Sequence, residues 1–201
     1  MSEGEEGLIE SPQPPRPGPP INSALFGLLV FLGTEVMFFA GLVSAFLILR
    51  AGNPAWPPVG QPRLPVEVTG FNTILLLLSG YTVHRALQAI RQGHARNLNI
   101  WLLITGALGA IFLGVQGFEW VRLVNYGLTV SSSVYGGTFY TLIGCHALHV
   151  VVAVIVLLVV LVRSSTGSYS MHHHSGVELC RVYWFFVVGI WPALYGLVYL
   201  S

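Results

Sequence analysis

The chain has 201 residues, 54% of them hydrophobic and only 8% charged, where a soluble domain carries about 25% charge. Its nine basic residues are all Arg and its eight acids all Glu, too few to build a water-facing surface, so most of the surface must face lipid. A net charge of +1 with scattered arginines excludes a nucleic-acid binder, and two cysteines exclude a disulfide framework.

Residues 1–20 read as a disordered tail, acidic at Glu3, Glu5 and Glu6 and then rich in proline from Pro12 to Pro20. Repeated prolines keep the backbone extended and remove donors. The acidic start lacks the basic region of a cleavable signal, so none is expected. Residues 21–201 form the membrane domain, with apolar runs at about 22–49, 69–90, 99–124, 138–162 and 177–200. Each run is long enough to cross an ~30 Å hydrocarbon core as a helix. Helix is the one open-ended form that satisfies its own backbone in lipid, and no period-two alternation suggests a barrel. The expected fold is all-α integral membrane, with five transmembrane helices in a bundle.

Five spans put the termini on opposite sides. Arg16, Arg85, Arg91, Arg96, Arg163 and Arg181 collect on the N-terminal side, against Arg50, Arg63 and Arg122 on the other. Positive charge concentrates in the cytoplasm, so the N-terminus is placed there and the C-terminus outside. Cys145 then lies near the outer face and Cys180 at the inner face, too far apart to bridge. Gly106, Ala110 and Gly114 recur every four residues on the third span, the pattern of a groove that lets a neighbouring helix approach closely.

Ionisable groups at membrane depth are costly and mark function. Glu35, Glu119, His146 and His149 are the candidates. At ~1.5 Å per residue, Glu35 lies roughly 20 Å from the inner boundary and His146 roughly 12 Å from the outer one, at similar heights in an ~30 Å core. Glu35 and His146 could satisfy one another; His149 shares the helix face at i, i+3, so either histidine could be the partner. Glu119 is expected near the outer interface. A structural hydrogen bond inside the bundle is the leading reading. A metal or haem site is the sharper alternative, but no Glu-x-x-His pair is present and both histidines lie on one helix. The run His172, His173, His174 reads as an interfacial polar cluster before the fifth span, not as a metal site. No nucleotide loop, nucleophile elbow or zinc-protease signature occurs, which argues against an independent enzyme. A proton-coupled transporter using Glu35 and Glu119 would show broken midplane helices or an inverted repeat, and neither is visible.

A family resemblance runs from about Phe31 to Leu200. Gly33-Thr34-Glu35-Val36-Met37-Phe38-Phe39, Trp56-Pro57-Pro58, Phe71-Asn72-Thr73 with Ser79, Gly80 and His84, and Gln116-Gly117-Phe118-Glu119-Trp120 carry it in order. Val134-Tyr135-Gly136-Gly137-Thr138-Phe139-Tyr140, Gly144, His146, His149-Val150, His173-His174-Ser175-Gly176-Val177-Glu178 and Tyr183-Trp184 complete it. Together these strings resemble subunit III of the haem–copper cytochrome c oxidases, in the short bacterial form that lacks the first two helices. The resemblance implies a bundle with a lipid-filled cleft, in the bacterial plasma membrane. It implies a non-catalytic accessory subunit of aerobic electron transport beside catalytic subunit I and subunit II, supporting proton uptake and the stability of the catalytic subunit. Haem and copper would then belong to those partners, with no cofactor bound directly here beyond structural phospholipid. By the same resemblance, Glu35, His173, His174, Glu178 and Trp184 would be lipid-binding. One departure stands out: the family's last helix opens Tyr-Trp-His-Phe-Val-Asp, and here Phe185 and Val188 replace the His and the Asp. That keeps open a relative serving another respiratory complex, such as one containing a nitric oxide reductase.

Overall fold

In the computed structural model, residues 23–58 and 64–200 are described; the tail expected at residues 1–20 lies outside them. Five helices follow in chain order: α1 Ser23–Ala51, α2 Val66–Arg91, α3 Ala95–Asn125, α4 Val134–Ser165 and α5 Ser175–Tyr199. All five are long and apolar enough to cross a membrane, and the described residues contain no strand. The helices overrun several of the apolar stretches, α3 starting at Ala95 and α4 running from Val134 to Ser165. Hydropathy marks the hydrocarbon zone, whereas a helix continues through the headgroup region until a cap ends it.

Those caps are written in the sequence. Gly93, Gly127 and Gly167 have φ of 78°, 89° and 75° just past α2, α3 and α4. Behind them the His94, Leu128 and Ser168 amides reach back to the Ala89, Leu123 and Arg163 carbonyls, the Schellman arrangement that only a residue tolerating positive φ permits. At the other end of α4, the Ser133 hydroxyl accepts from the Gly136 amide at 3.1 Å.

The face on which α1 begins is called proximal below, the opposite face distal. α2, α3, α4 and α5 form a closed ring, with α2 packed against α3 and α5, and α4 against α3 and α5. Phe112, Trp184 and Trp191 fill its centre. Large apolar side chains such as Leu29, Ile48, Phe71, Leu103, Phe118 and Val162 point outward. In lipid, burying apolar surface gains little, so the ring is held by close packing and interhelical hydrogen bonds.

The hydrogen bonds form a ladder along α2. Trp191 donates to the Thr73 hydroxyl at 2.8 Å, and Trp184 to the Ser79 hydroxyl at 3.0 Å. Thr82 and Thr105 share a 2.8 Å bond, and the Asn72 amide donates to the Phe112 carbonyl at 3.1 Å. At the distal end Gln116 donates to the Tyr199 hydroxyl at 3.0 Å.

α1 stands apart. Among the described helices it touches only α4 and α5, and it buries Leu32, Phe39 and Phe46, one residue every seventh position. That spacing traces a single narrow line of contact.

The small residues on α3 do not act together. Gly106 faces Leu157, but Ala110 and Gly114 are exposed, and no atom lies within 4 Å of a side chain added at Gly114. Each four-residue step overshoots a 3.6-residue turn by about 40°, so the row rotates out of the contact. The tight approach is at Gly109, where an added Cβ would stand 2.8 Å from Trp184.

Candidate functional site: the seam between α1 and the bundle

Along the α1–α4 seam one polar contact sits between two apolar grooves. Glu35 Oε2 is 2.8 Å from His149 Nε2, with 18% and 15% of the side chains exposed. His149 Nδ1–H donates to the Cys145 carbonyl at 2.7 Å, which orients the ring. Phe39 packs against the imidazole edge-on at 5.1 Å between centroids, and Phe38 lies at 6.4 Å.

His149, not His146, is therefore the partner of Glu35. The two histidines are i, i+3 apart, a rotation of about 60° short of a full turn, and this separates their directions. His149 turns toward α1. His146 turns into the ring, 1% exposed, stacked on Trp191 at 4.8 Å and edge-on to Phe112 at 6.3 Å.

Glu119 lies near the distal end of α3 and is enclosed by the protein. It is 4% exposed and accepts from Arg122 at 3.0 Å, one turn along α3, so the arginine reaches the surface while the carboxylate stays inside.

On the proximal side of the Glu35–His149 pair the seam opens into a cavity of about 490 Å³. Leu28 and Phe31 of α1, Val152 and Val156 of α4, and Leu179 and Tyr183 of α5 line it, with Arg163 and Tyr169 at the proximal rim. A polar recess continues from there past Ser168, His173, Ser175 and Gly176. Burial pushes the Tyr169 phenol above its ordinary range, and the neighbouring Arg163 partly offsets this. Gly176 has no side chain because a Cβ would come 2.6 Å from the Tyr169 hydroxyl. On the distal side a second groove of about 210 Å³ runs between Leu42, Phe46 and Leu49 of α1 and Gly137, Thr141 and Leu142 of α4.

The residues implicated by resemblance in lipid binding separate. Glu35 lies at the waist of the seam and His173 in the proximal recess. His174 precedes the first turn of α5, while Glu178 accepts from Arg91 of α2 at 3.1 Å. Trp184 is 2% exposed and bonded to Ser79 inside the ring, away from any lipid-facing surface. A tryptophan whose indole N–H has a partner inside the ring is a packing residue. His172 is exposed in the α4–α5 connection. Cys145 and Cys180 are both free thiols.

Arg163, Tyr169 and the Cys145 carbonyl were not singled out by sequence reasoning. Arg163 was visible only as one of six arginines on its side; the cavity beneath it depends on how α1 and α5 meet α4. Phe185 is 40% exposed, flanked by the His84 ring at 6.3 Å and by the Arg181 guanidinium at 5.5 Å, and Val188 is buried. At these two positions the chain thus presents one exposed aromatic ring beside a guanidinium and one buried aliphatic side chain.

A ring of four packed helices, three of them joined by hydrogen bonds, with a fifth fastened by one Glu–His contact beside an apolar cavity, defines a class: a multi-pass helical membrane protein built around an apolar seam. The comparisons carry this further. Residues 21–201 match the family described as cytochrome c oxidase subunit III, and the chain belongs to that family. It is 42% identical over 177 residues to cytochrome c oxidase subunit 3 of Synechocystis, covering 88% of this chain and 75% of that protein. The subunit 3 of Thermostichus vulcanus is 38% identical, covering 88% and 86%, and that of Corynebacterium diphtheriae 35%, covering 89% and 88%. The chain is thus a non-catalytic subunit of the haem–copper oxidase type, associated with an oxidase complex in a membrane.

Proposed function

We propose that this subunit sits against catalytic subunit I and subunit II of its oxidase, supporting proton uptake and the working lifetime of the catalytic subunit. Haem and copper are held by those partners and none by this chain. The complex lies in the bacterial plasma membrane with the proximal face in the cytoplasm and the distal C-terminus outside. The arginine distribution supports that orientation: Arg85, Arg91, Arg96, Arg163 and Arg181 lie on the proximal half, Arg50 and Arg122 on the distal half.

The observation that carries the reading is the proximal cavity. Its walls are almost wholly apolar and its rim holds a guanidinium, a phenol and His173. One phospholipid fits this arrangement, acyl chain in the cavity and phosphate at Arg163, since guanidinium–phosphate hydrogen bonds are strong and directional. Glu35 and His173 border that lipid. His174, Glu178 and Trp184 act instead through α5: the His174 carbonyl accepts from its first turn, Glu178 ties it to α2 and Trp184 packs it into the ring.

The test is isolation of the complex in mild detergent, with mass spectrometry of subunits and lipids and a reduced-minus-oxidised spectrum. The expected result is co-purification of a haem–copper catalytic subunit that accounts for all the haem. Retained phospholipid should fall in Arg163→Gln. Recovery of the chain alone, or haem bound to it, would overturn the reading.

A further inference from the structure

Arg85 on α2 and Arg181 on α5 lie at one height in the membrane zone. Each stands about six residues from the proximal end of its helix, roughly 9 Å along the axis, within the apolar runs at 69–90 and 177–200. An arginine at such a depth ordinarily extends its side chain toward the headgroups. Here both are drawn to groups one turn farther in. Arg85 Nη1 donates to the Tyr81 hydroxyl at 3.1 Å, and its guanidinium lies 5.4 Å from the Trp101 ring of α3. The Arg181 guanidinium lies 5.5 Å from the Phe185 ring, and its enclosed Nε has no hydrogen-bond partner among the described residues.

Aromatic faces attract a cation without neutralising it, and a charge at this depth calls for a counter-charge. Among the described residues every carboxylate is committed elsewhere. Glu35 meets His149, Glu119 meets Arg122, Glu178 meets Arg91, and Glu67 opens α2 at the distal face. Arg122 shows the completed pattern: its guanidinium lies 5.9 Å from the ring of Phe118, one turn inward, and Glu119 supplies the anion at 3.0 Å. Between Arg181 and Arg85, the His84 ring stacks on Phe185 at 6.3 Å and accepts from the Gln88 amide at 3.0 Å. Residues of α5, α2 and α3 thus form one outward band. α1 reaches neither α2 nor α3, so this band is separate from the seam.

We infer that the band is the docking surface for a transmembrane helix of another subunit, which carries Asp or Glu at the depth of Arg85 and Arg181. A lipid phosphate does not fit, because it lies outside the hydrocarbon zone, on the side from which Arg85 turns away. This goes beyond the accessory role proposed above and needs only that the chain belongs to a complex.

The experiment uses the intact complex. A photo-cross-linking amino acid in place of the exposed Gln88 should attach to a transmembrane segment of another subunit, and mass spectrometry of the joined peptides should place an Asp or Glu in that segment. Arg85→Gln and Arg181→Gln should each speed loss of this subunit in mild detergent by about tenfold or more, as truncating one member of a desolvated charge pair does. Arg96→Gln, exposed at the start of α3 and outside the apolar run, should leave that rate unchanged. Arg85→Glu combined with an arginine in place of the partner's acid should recover the retention that either change alone removes. A cross-link to lipid alone, to a second copy of this chain or to a segment without a carboxylate overturns the inference. So do arginine variants retained as well as Arg96→Gln, or a charge exchange that rescues nothing.

Discussion

Gly109→Ala, set against Gly114→Ala, isolates how much of this bundle depends on close helix approach. At Gly109 the new methyl would lie 2.8 and 3.1 Å from two ring atoms of Trp184 and 3.4 Å from Val154. Trp184 cannot swing away: it is 2% exposed and its indole N–H is held by Ser79 at 3.0 Å. Forcing a methyl into such a site costs about 1–3 kcal/mol. Replacing Gly by Ala inside a helix returns about 1 kcal/mol, so Gly109→Ala should be destabilised by about 1 kcal/mol net. Gly114→Ala meets no atom within 4 Å and gains the helix term alone. Since lipid removes most of the hydrophobic contribution and the helix term cancels between variants, their difference of about 1–3 kcal/mol is packing. SDS titration of the complex in mixed micelles, followed by fluorescence and by retention of this subunit, measures it. Equal stability of the two variants would refute the close-contact account of α3 and α5.

Trp191→Phe removes the hydrogen bond to Thr73, and a double-mutant cycle with Thr73→Val should give a coupling of about 0.6 kcal/mol, at most about 1.7. Glu178→Gln removes the charge pairing with Arg91 between α2 and α5 at the proximal face. With 51% and 32% of those side chains exposed, it should cost under about 1 kcal/mol, less at high salt, and leave subunit retention unchanged. Tyr169 titrates above its usual 10.0 because of burial, so the folded state holds that proton more tightly. Its contribution is complete below pH 10.0 and declines as pH rises beyond it; Tyr169→Phe should flatten that alkaline loss of stability in a pH series.

The five helices and their order were legible because lipid imposes a simple rule: a spanning segment must be helical and apolar for about 20 residues. The three glycine-closed helix ends were legible in principle too, each a Gly two positions past the last helical residue. Glu35 and His149 were identified as costly intramembrane groups from residue type alone. Their pairing was not, because distance along two helices fixes height but not rotation. A difference in direction of about 60° decides between His146 and His149, and only the way α4 packs against α3 and α5 sets that rotation. Trp184 shows the same gap. Its place beside Tyr183 in a family-like string says nothing of which way it faces, and the ring buries it against Ser79 and Gly109.

By itself, then, the sequence determined the solvent, the number of spans, the family and the residue types that lipid makes expensive. These follow from composition and local pattern, which need no contact between distant segments. Tertiary structure decided which small residue is a contact, which histidine meets Glu35, and that α1 leaves a cavity under Arg163. Those depend on helix rotation and on the looseness of one helix, and both arise from the packing of the other four.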